Sequence, residues 1–177
     1  MGEKNALRRV VLLALGLLLT AAVLFGCGRD ENQEALKKIS RELSLDLPDG
    51  ELLTAEDGHG GFHGDGLFFA AVRFADGTME ERLKADGHWQ AFPANETVQA
   101  LLYGYEFTDG RYGPYLTDGD GTPLIPAVEN GYYWLRDRQI IDGQASGADI
   151  LHRGSFNFTI GVYDSDTGIL YCCKMDT

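Results

Sequence analysis

Positive charge is scarce in this sequence. Its 177 residues carry 15 Lys and Arg against 27 Asp and Glu, a net charge of −12 at pH 7. That shortage excludes a nucleic-acid surface, which needs clustered cations to meet phosphates. Proline is rare, at 5 residues, so no polyproline spacer is present. Cysteine occurs 3 times, and two of the three are adjacent, so no disulfide framework staples the fold. The common catalytic signatures are missing. There is no Gly-x-Ser-x-Gly elbow, His-Glu-x-x-His helix, P-loop or dinucleotide fingerprint. We therefore assign no catalytic residue. What remains is an ordinary globular composition, with 44% hydrophobic and 11% aromatic residues. At this length one domain with a real core is expected.

The N-terminal segment reads as an address rather than as part of the fold. Lys4, Arg8 and Arg9 precede a stretch from Val10 to Phe25 that is apolar apart from Gly16 and Thr20. A membrane span needs about 20 apolar residues, so this run suits the core of a secretory signal better. It ends Leu24-Phe25-Gly26-Cys27. That ending resembles the lipobox of bacterial membrane lipoproteins, although Phe25 is bulkier than the pattern prefers. The resemblance implies cleavage after Gly26 and a diacylglyceryl thioether on Cys27. An uncleaved anchor helix is the alternative, and both place the remainder outside the cytoplasm. We expect a signal peptide over 1–26, a lipidated tether over 27–33 and one extracytoplasmic domain over 34–177. Without Lys4, Arg8, Arg9 and Glu3 the balance becomes 12 − 26 = −14. An anionic membrane repels such a domain, so it should face outward. Cations, basic peptides, neutral glycans or an envelope protein then suit it better than phosphates.

Along the rest of the chain the hydrophobic spacing predicts α+β architecture. The expected elements are an N-terminal amphipathic helix, an antiparallel sheet of about five strands with two short inserted helices, and a C-terminal β-hairpin. Leu36, Ile39 and Leu43 recur at helical spacing within Glu34 to Leu45, with Lys37, Lys38, Arg41 and Glu42 outside. Pro48-Asp49-Gly50 is a turn before a short strand from Glu51 to Ala55. Leu67 to Ala75 is apolar on both faces and reads as a central strand. Thr78-x-x-Glu81 reads as a capping box for a helix ending near Gly87, and Asn95 as the cap of the next. Asp109 to Pro126 is rich in turns, and Tyr132 to Arg138 is a strand.

Phe156, Phe158, Ile160 and Val162 alternate with Asn157, Thr159, Gly161 and Tyr163, the pattern of a half-buried strand. A turn at Ser165-Asp166-Thr167-Gly168 would pair Ile160 with Cys173 and Phe158 with Met175. Thr159 would then meet Lys174 on the wet face. A one-residue slip would force Lys174 into the core, which should hold this register.

The candidate metal site is the loop from Asp57 to Gly66, which holds Asp57, His59, His63 and Asp65 among glycines. Imidazole and carboxylate are zinc ligands, and glycines let a loop fold back on itself. The competing reading is a turn-rich connection whose side chains tie down backbone N–H groups. His88 and His152 read as surface residues. The string His59-Gly60-Gly61-Phe62-His63-Gly64-Asp65-Gly66, with Phe156-Asn157-Phe158-Thr159, resembles lipoproteins of Gram-positive anaerobes. That resemblance spans most of the mature chain and carries no activity with it.

Cys172 and Cys173 are adjacent, about 3.8 Å apart at Cα, closer than an ordinary disulfide allows. They read as independent thiols on opposite faces of a strand. Asp118-Gly119-Asp120-Gly121 and Asp164-Ser165-Asp166-Thr167-Gly168 read as turns rather than calcium loops. The dense aromatics from Tyr103 to Trp134 either cover a sheet or line a groove for sugar or peptide. The functional expectation is a non-enzymatic ligand- or protein-binding lipoprotein. The rival is a metal-dependent envelope hydrolase or metal-binding protein using the His59 and His63 loop, with zinc as its ion.

Overall fold

The computed structural model describes residues 32–60, 64–140 and 150–177. The expected signal segment with Cys27, and His63 in the loop, lie outside the described residues. Helix α1 covers residues 32–43. Strands β1 (Glu51–Asp57) and β2 (Gly66–Arg73) follow, then helix α2 (Thr78–Asp86). A two-residue strand β3 (Gln90–Ala91) precedes helix α3 (Glu96–Tyr103). A small hairpin of β4 (Tyr105–Phe107) and β5 (Gly110–Tyr112) leads to β6 (Gly131–Asp137). After a 3-10 turn at Ile150–His152 come β7 (Asn157–Asp164) and β8 (Ile169–Asp176). The main sheet has six strands in the order β1-β2-β8-β7-β6-β3, paired antiparallel throughout.

The α+β class and the order of the long elements agree with the sequence reading. The extra strands are ones that periodicity cannot register. β3 has two residues, and β4 and β5 have three each around Asp109-Gly110. Two or three residues are too few to show alternation.

The hairpin register is the expected one. Ile160 faces Cys173, Phe158 faces Met175, Thr159 faces Lys174 and Asp164 faces Ile169. The expected wet face is not wet. Six consecutive residues of β7, Phe158 to Tyr163, are buried, and Thr159 is 0% exposed. Both faces of this strand are covered. On one face Phe158, Ile160, Val162, Tyr171 and Cys173 pack with α3 and with Leu116, Ile125 and Val128. On the other, Tyr163, Leu170, Cys172, Phe68, Ala70 and Val72 pack with Ile39 and Leu43 of α1, Met79 and Leu83 of α2, and Trp89.

Gly161 makes this second layer possible. A Cβ there would lie 2.4 Å from the Trp89 ring and 2.9 Å from Leu43. The missing side chain, read as part of a polar face, is the seat for α1 and Trp89.

Local signals at the helix ends are mixed. Asn95 caps α3 as expected, its side chain accepting from Val98 N–H at 2.9 Å. α2 ends at Gly87 in the left-handed region, φ 75°. The capping box at Thr78 is corrected. Gly77 is the N-cap and makes no side-chain bond. Thr78 is the first helical residue, and its N–H and hydroxyl both donate to Asp76. The chain turns one residue earlier than the motif requires, so an Asx turn takes over the start.

Cys172 and Cys173 are both free and 0% exposed. They belong to opposite cores, as alternation in a strand demands. Burial pushes both thiols well above their ordinary range. Reactivity belongs to the thiolate. A maleimide or iodoacetamide probe should therefore leave Cys172 and Cys173 unlabelled in the native chain and label both after denaturation. Fast native labelling of either, read by peptide mapping, would contradict this packing.

Candidate functional site

One end of the sheet collects the charged residues. The register sets Asp176, near the end of β8, opposite Gly66 at the start of β2 and Asn157 at the start of β7. β1 ends there at Asp57. The chain then folds back so closely that a Cβ on Gly66 would sit 2.6 Å from the Cα of His59. This places the His59 ring between two carboxylates. Nδ1 lies 2.6 Å from Asp57 Oδ1, and Nε2 lies 3.2 Å from Asp176 Oδ2. The His59 N–H also donates to Asp57, at 3.1 Å. The imidazole is 17% exposed.

Cations close the arrangement. Lys38 of α1 donates to Asp57 and sits 4.0 Å from the centroid of the Phe68 ring. Arg138, just past β6, donates to Asp176 at 2.5 Å and to the carbonyl of Met175 at 3.0 Å. Lys174 stands 3.7 Å from both Asp176 and Glu42 of α1. Lys38 and Glu42 are thus half-buried contacts of α1 with the sheet, not the outer face the helical spacing assigned them. The stems of such residues can lie along apolar surface while the heads reach polar partners. The Lys38 ammonium, then His59 through its ring and its N–H, hold the Asp57 carboxyl well below the usual carboxylate range. Next to this network Arg153 donates to both oxygens of Asp137, one at 2.9 Å, and holds that carboxyl low as well.

The lowered carboxyls give a pH dependence with a definite sign. A carboxyl whose folded value is depressed adds stability above its unfolded value, about 3.9 for Asp. That stability is lost as pH falls through the folded value. The unfolding midpoint should therefore drop as pH is taken from about 5 to below 4, and Lys38→Met should weaken the part due to Asp57. Thermal melts at stepped pH check this. A midpoint flat across that window would refute the ion-pair account.

A second feature lies along β1. A groove of about 360 Å³ is lined by Leu67, Phe69 and Leu124, with Glu56, Asp57 and Asp118 among its polar residues. Asp118 is held by its own turn, accepting from the N–H groups of Asp120 at 3.0 Å and Thr122 at 2.8 Å. This confirms that acidic stretch as a turn. Asp164 likewise accepts from Asp166 N–H and the Thr167 hydroxyl.

Of the four residues in the proposed metal loop, the structure joins Asp57 and His59 by a direct hydrogen bond. Asp65 is exposed, and His63 is outside the described residues. Among the described residues no group of three or more His, Cys, Asp or Glu is arranged to hold a metal ion. The sequence reading missed Lys38, Arg138, Lys174 and Asp176. They lie far from His59 along the chain, on α1, just past β6 and on β8, and only helix packing and strand register bring them to it.

His88 is exposed beside Asp86, as expected of a surface residue. His152 is exposed too, its ring 5.1 Å from that of Tyr112. The aromatics mostly cover the sheet. Tyr105, Phe107 and Tyr112 pack edge to face at 4.8 and 5.4 Å, and Tyr115 lies 4.7 Å from Phe156. Tyr103 donates to the carbonyl of Pro126 at 2.7 Å, and burial raises its hydroxyl to about 12. Tyr133 packs in one core while Tyr132 and Trp134 pack on the other.

The fold and site define an α+β domain with a charged sheet end and an acidic groove beside its first strand. Comparison with known proteins finds no matching family model, no similar curated protein and no similar solved structure. Among the described residues no helix is long and apolar enough to cross a membrane.

Proposed function

We propose that this protein is a bacterial lipoprotein, anchored through Cys27 on the extracytoplasmic face of the cell membrane, whose domain binds a partner at the envelope. The observation that carries the reading is Leu24-Phe25-Gly26-Cys27 at the foot of an apolar run preceded by Lys4, Arg8 and Arg9. The acidic balance supports an outward-facing domain repelled by anionic lipid. The lack of a catalytic motif supports binding rather than turnover. Protease treatment of intact cells tests the placement. The domain should be digested while a cytoplasmic marker survives. Digestion only after lysis would overturn the reading.

A metal-dependent hydrolase or metal-binding protein using His59, His63, Asp65 and Asp57 is the second reading. The contact of the His59 ring with Asp57 favours it, since both groups are zinc ligands. Lys38 and Arg138 count against it, because they already neutralise the carboxylates beside His59. A metal at about 100 times its dissociation constant adds roughly 2.7 kcal/mol of stability. We expect the unfolding midpoint to be the same in EDTA and in zinc. A rise of several degrees in zinc, absent in His59→Ala, would transfer the assignment to the metal reading.

A further inference from the structure

β1 is an edge of the main sheet, with six of its seven residues paired to β2, the register shifting at Leu53 between Leu52 and Thr54. Among the described residues one side chain from outside the sheet hydrogen-bonds to the backbone at the start of this edge. Asn32 accepts from Leu52 N–H at 3.0 Å and donates to the carbonyl of Gly50 at 3.4 Å. From Leu53 to Asp57 no strand lies beside this edge among the described residues, and Leu53 is one of their exposed large hydrophobic residues. An open edge is a template for another strand.

Charge decides which strand. Glu51 and Asp57 at the ends of β1 already pair with Arg73 and Lys38. Glu56 has no ion pair among the described residues and lines the groove with Asp118, over Leu67, Phe69 and Leu124. Glu56 and Thr54 register with Phe69 and Ala71, so they share the face on which the groove lies. A strand added to β1 would set every second side chain on that face. An aliphatic stem would rest on Leu67, Phe69 and Leu124, with a cationic head beside Glu56 and Asp118. A second copy of this chain would instead lay another β1 against this edge, with Glu51, Glu56 and Asp57 and no cation to meet Glu56, and like charges facing each other across strands are unfavourable.

We propose that β1 and this groove bind an extended basic peptide segment by strand addition, with Lys or Arg at alternate positions. The proposal rests on the reading of the domain as an envelope binding module and names the partner chemistry for it. The mode is β-augmentation, in which backbone bonds supply affinity and alternate pockets supply specificity.

The test uses the full chain in neutral detergent and a synthetic peptide of alternating Lys and Thr. Hydrogen exchange read by mass spectrometry should slow over 53–57 when the peptide is added, and the remaining strands should be unchanged. Methylating alternate backbone nitrogens of the peptide keeps its charge but removes its strand donors, and this should abolish the protection. Glu56→Lys on the exposed edge should bind the peptide about tenfold more weakly or worse. Equal binding of the methylated peptide, unchanged exchange over 53–57, or full affinity in Glu56→Lys would each overturn the proposal. Those failures would leave the surface placement intact, because protease treatment of cells reads that independently.

Discussion

Replacing Cys27 with Ala should remove every trace of fatty acid from the protein. In cells fed labelled palmitate, the wild-type chain should carry label and the Cys27→Ala chain none. Intact mass of the membrane-extracted protein provides the second reading. The wild type should lack residues 1–26 and carry a diacylglyceryl adduct on Cys27. The variant, with no thiol to modify, should keep its leader. The physical basis is the anchoring requirement. One acyl chain binds a bilayer only marginally, whereas two give stable attachment. A mature chain modified at Cys27 meets that requirement with one residue. A wild-type mass that includes residues 1–26 and no adduct would identify the segment as an uncleaved anchor helix and end the lipoprotein reading.

Phe158→Ala should cost about 3–5 kcal/mol, the range for deleting a fully buried phenylalanine. Phe158 is 0% exposed and packs in the core beneath α3. Its ring lies 6.2 Å from that of Phe156, and its backbone registers with both Met175 and Asp137. Domains of this size are stable by only about 5–15 kcal/mol, so the variant should melt roughly 6–20 °C lower. Gly161→Val tests the opposite face. Its Cβ would collide with Trp89 and Leu43, and overpacking of this kind costs about 1–3 kcal/mol. Chemical denaturation of both variants reads the two layers separately. Were β7 half-exposed, as its alternation implies, Gly161→Val would change little. A loss at Phe158 with none at Gly161 would show that α1 and Trp89 do not seat on the sheet.

That contrast shows where the sequence was legible. Alternation over eight residues and a turn of four were enough to set the register of β7 and β8 to the residue, because a slip would carry Lys174 away from Glu42 and Asp176 into the core beneath α3. Asn95 and Gly87 were legible because capping is local chemistry. The second face of β7 was not. Thr159 and Gly161 look polar in a pattern, yet Gly161 is the gap into which distant residues fit. Thr78 failed as a capping box for a related reason, since one residue of phase in the preceding turn decides which side chain reaches the free N–H groups. The candidate site divides in the same way. Asp57 and His59 were visible as neighbours in a Gly-rich loop. Lys38, Arg138, Lys174 and Asp176 come from three other places in the chain, α1, the end of β6 and β8.

The α+β class, the order of the long elements, the hairpin register and the opposite facing of Cys172 and Cys173 were readable from the order of residues alone. Each follows from periods of 2 and 3.6 residues, and those act over a few bonds. The covering of both faces of β7, the seating of the His59 ring between Asp57 and Asp176, and the place of β1 at the sheet edge came from the packing of the elements. These depend on which strand lies beside which, and burial and ion pairing across the sheet are set by distance in space, not along the chain.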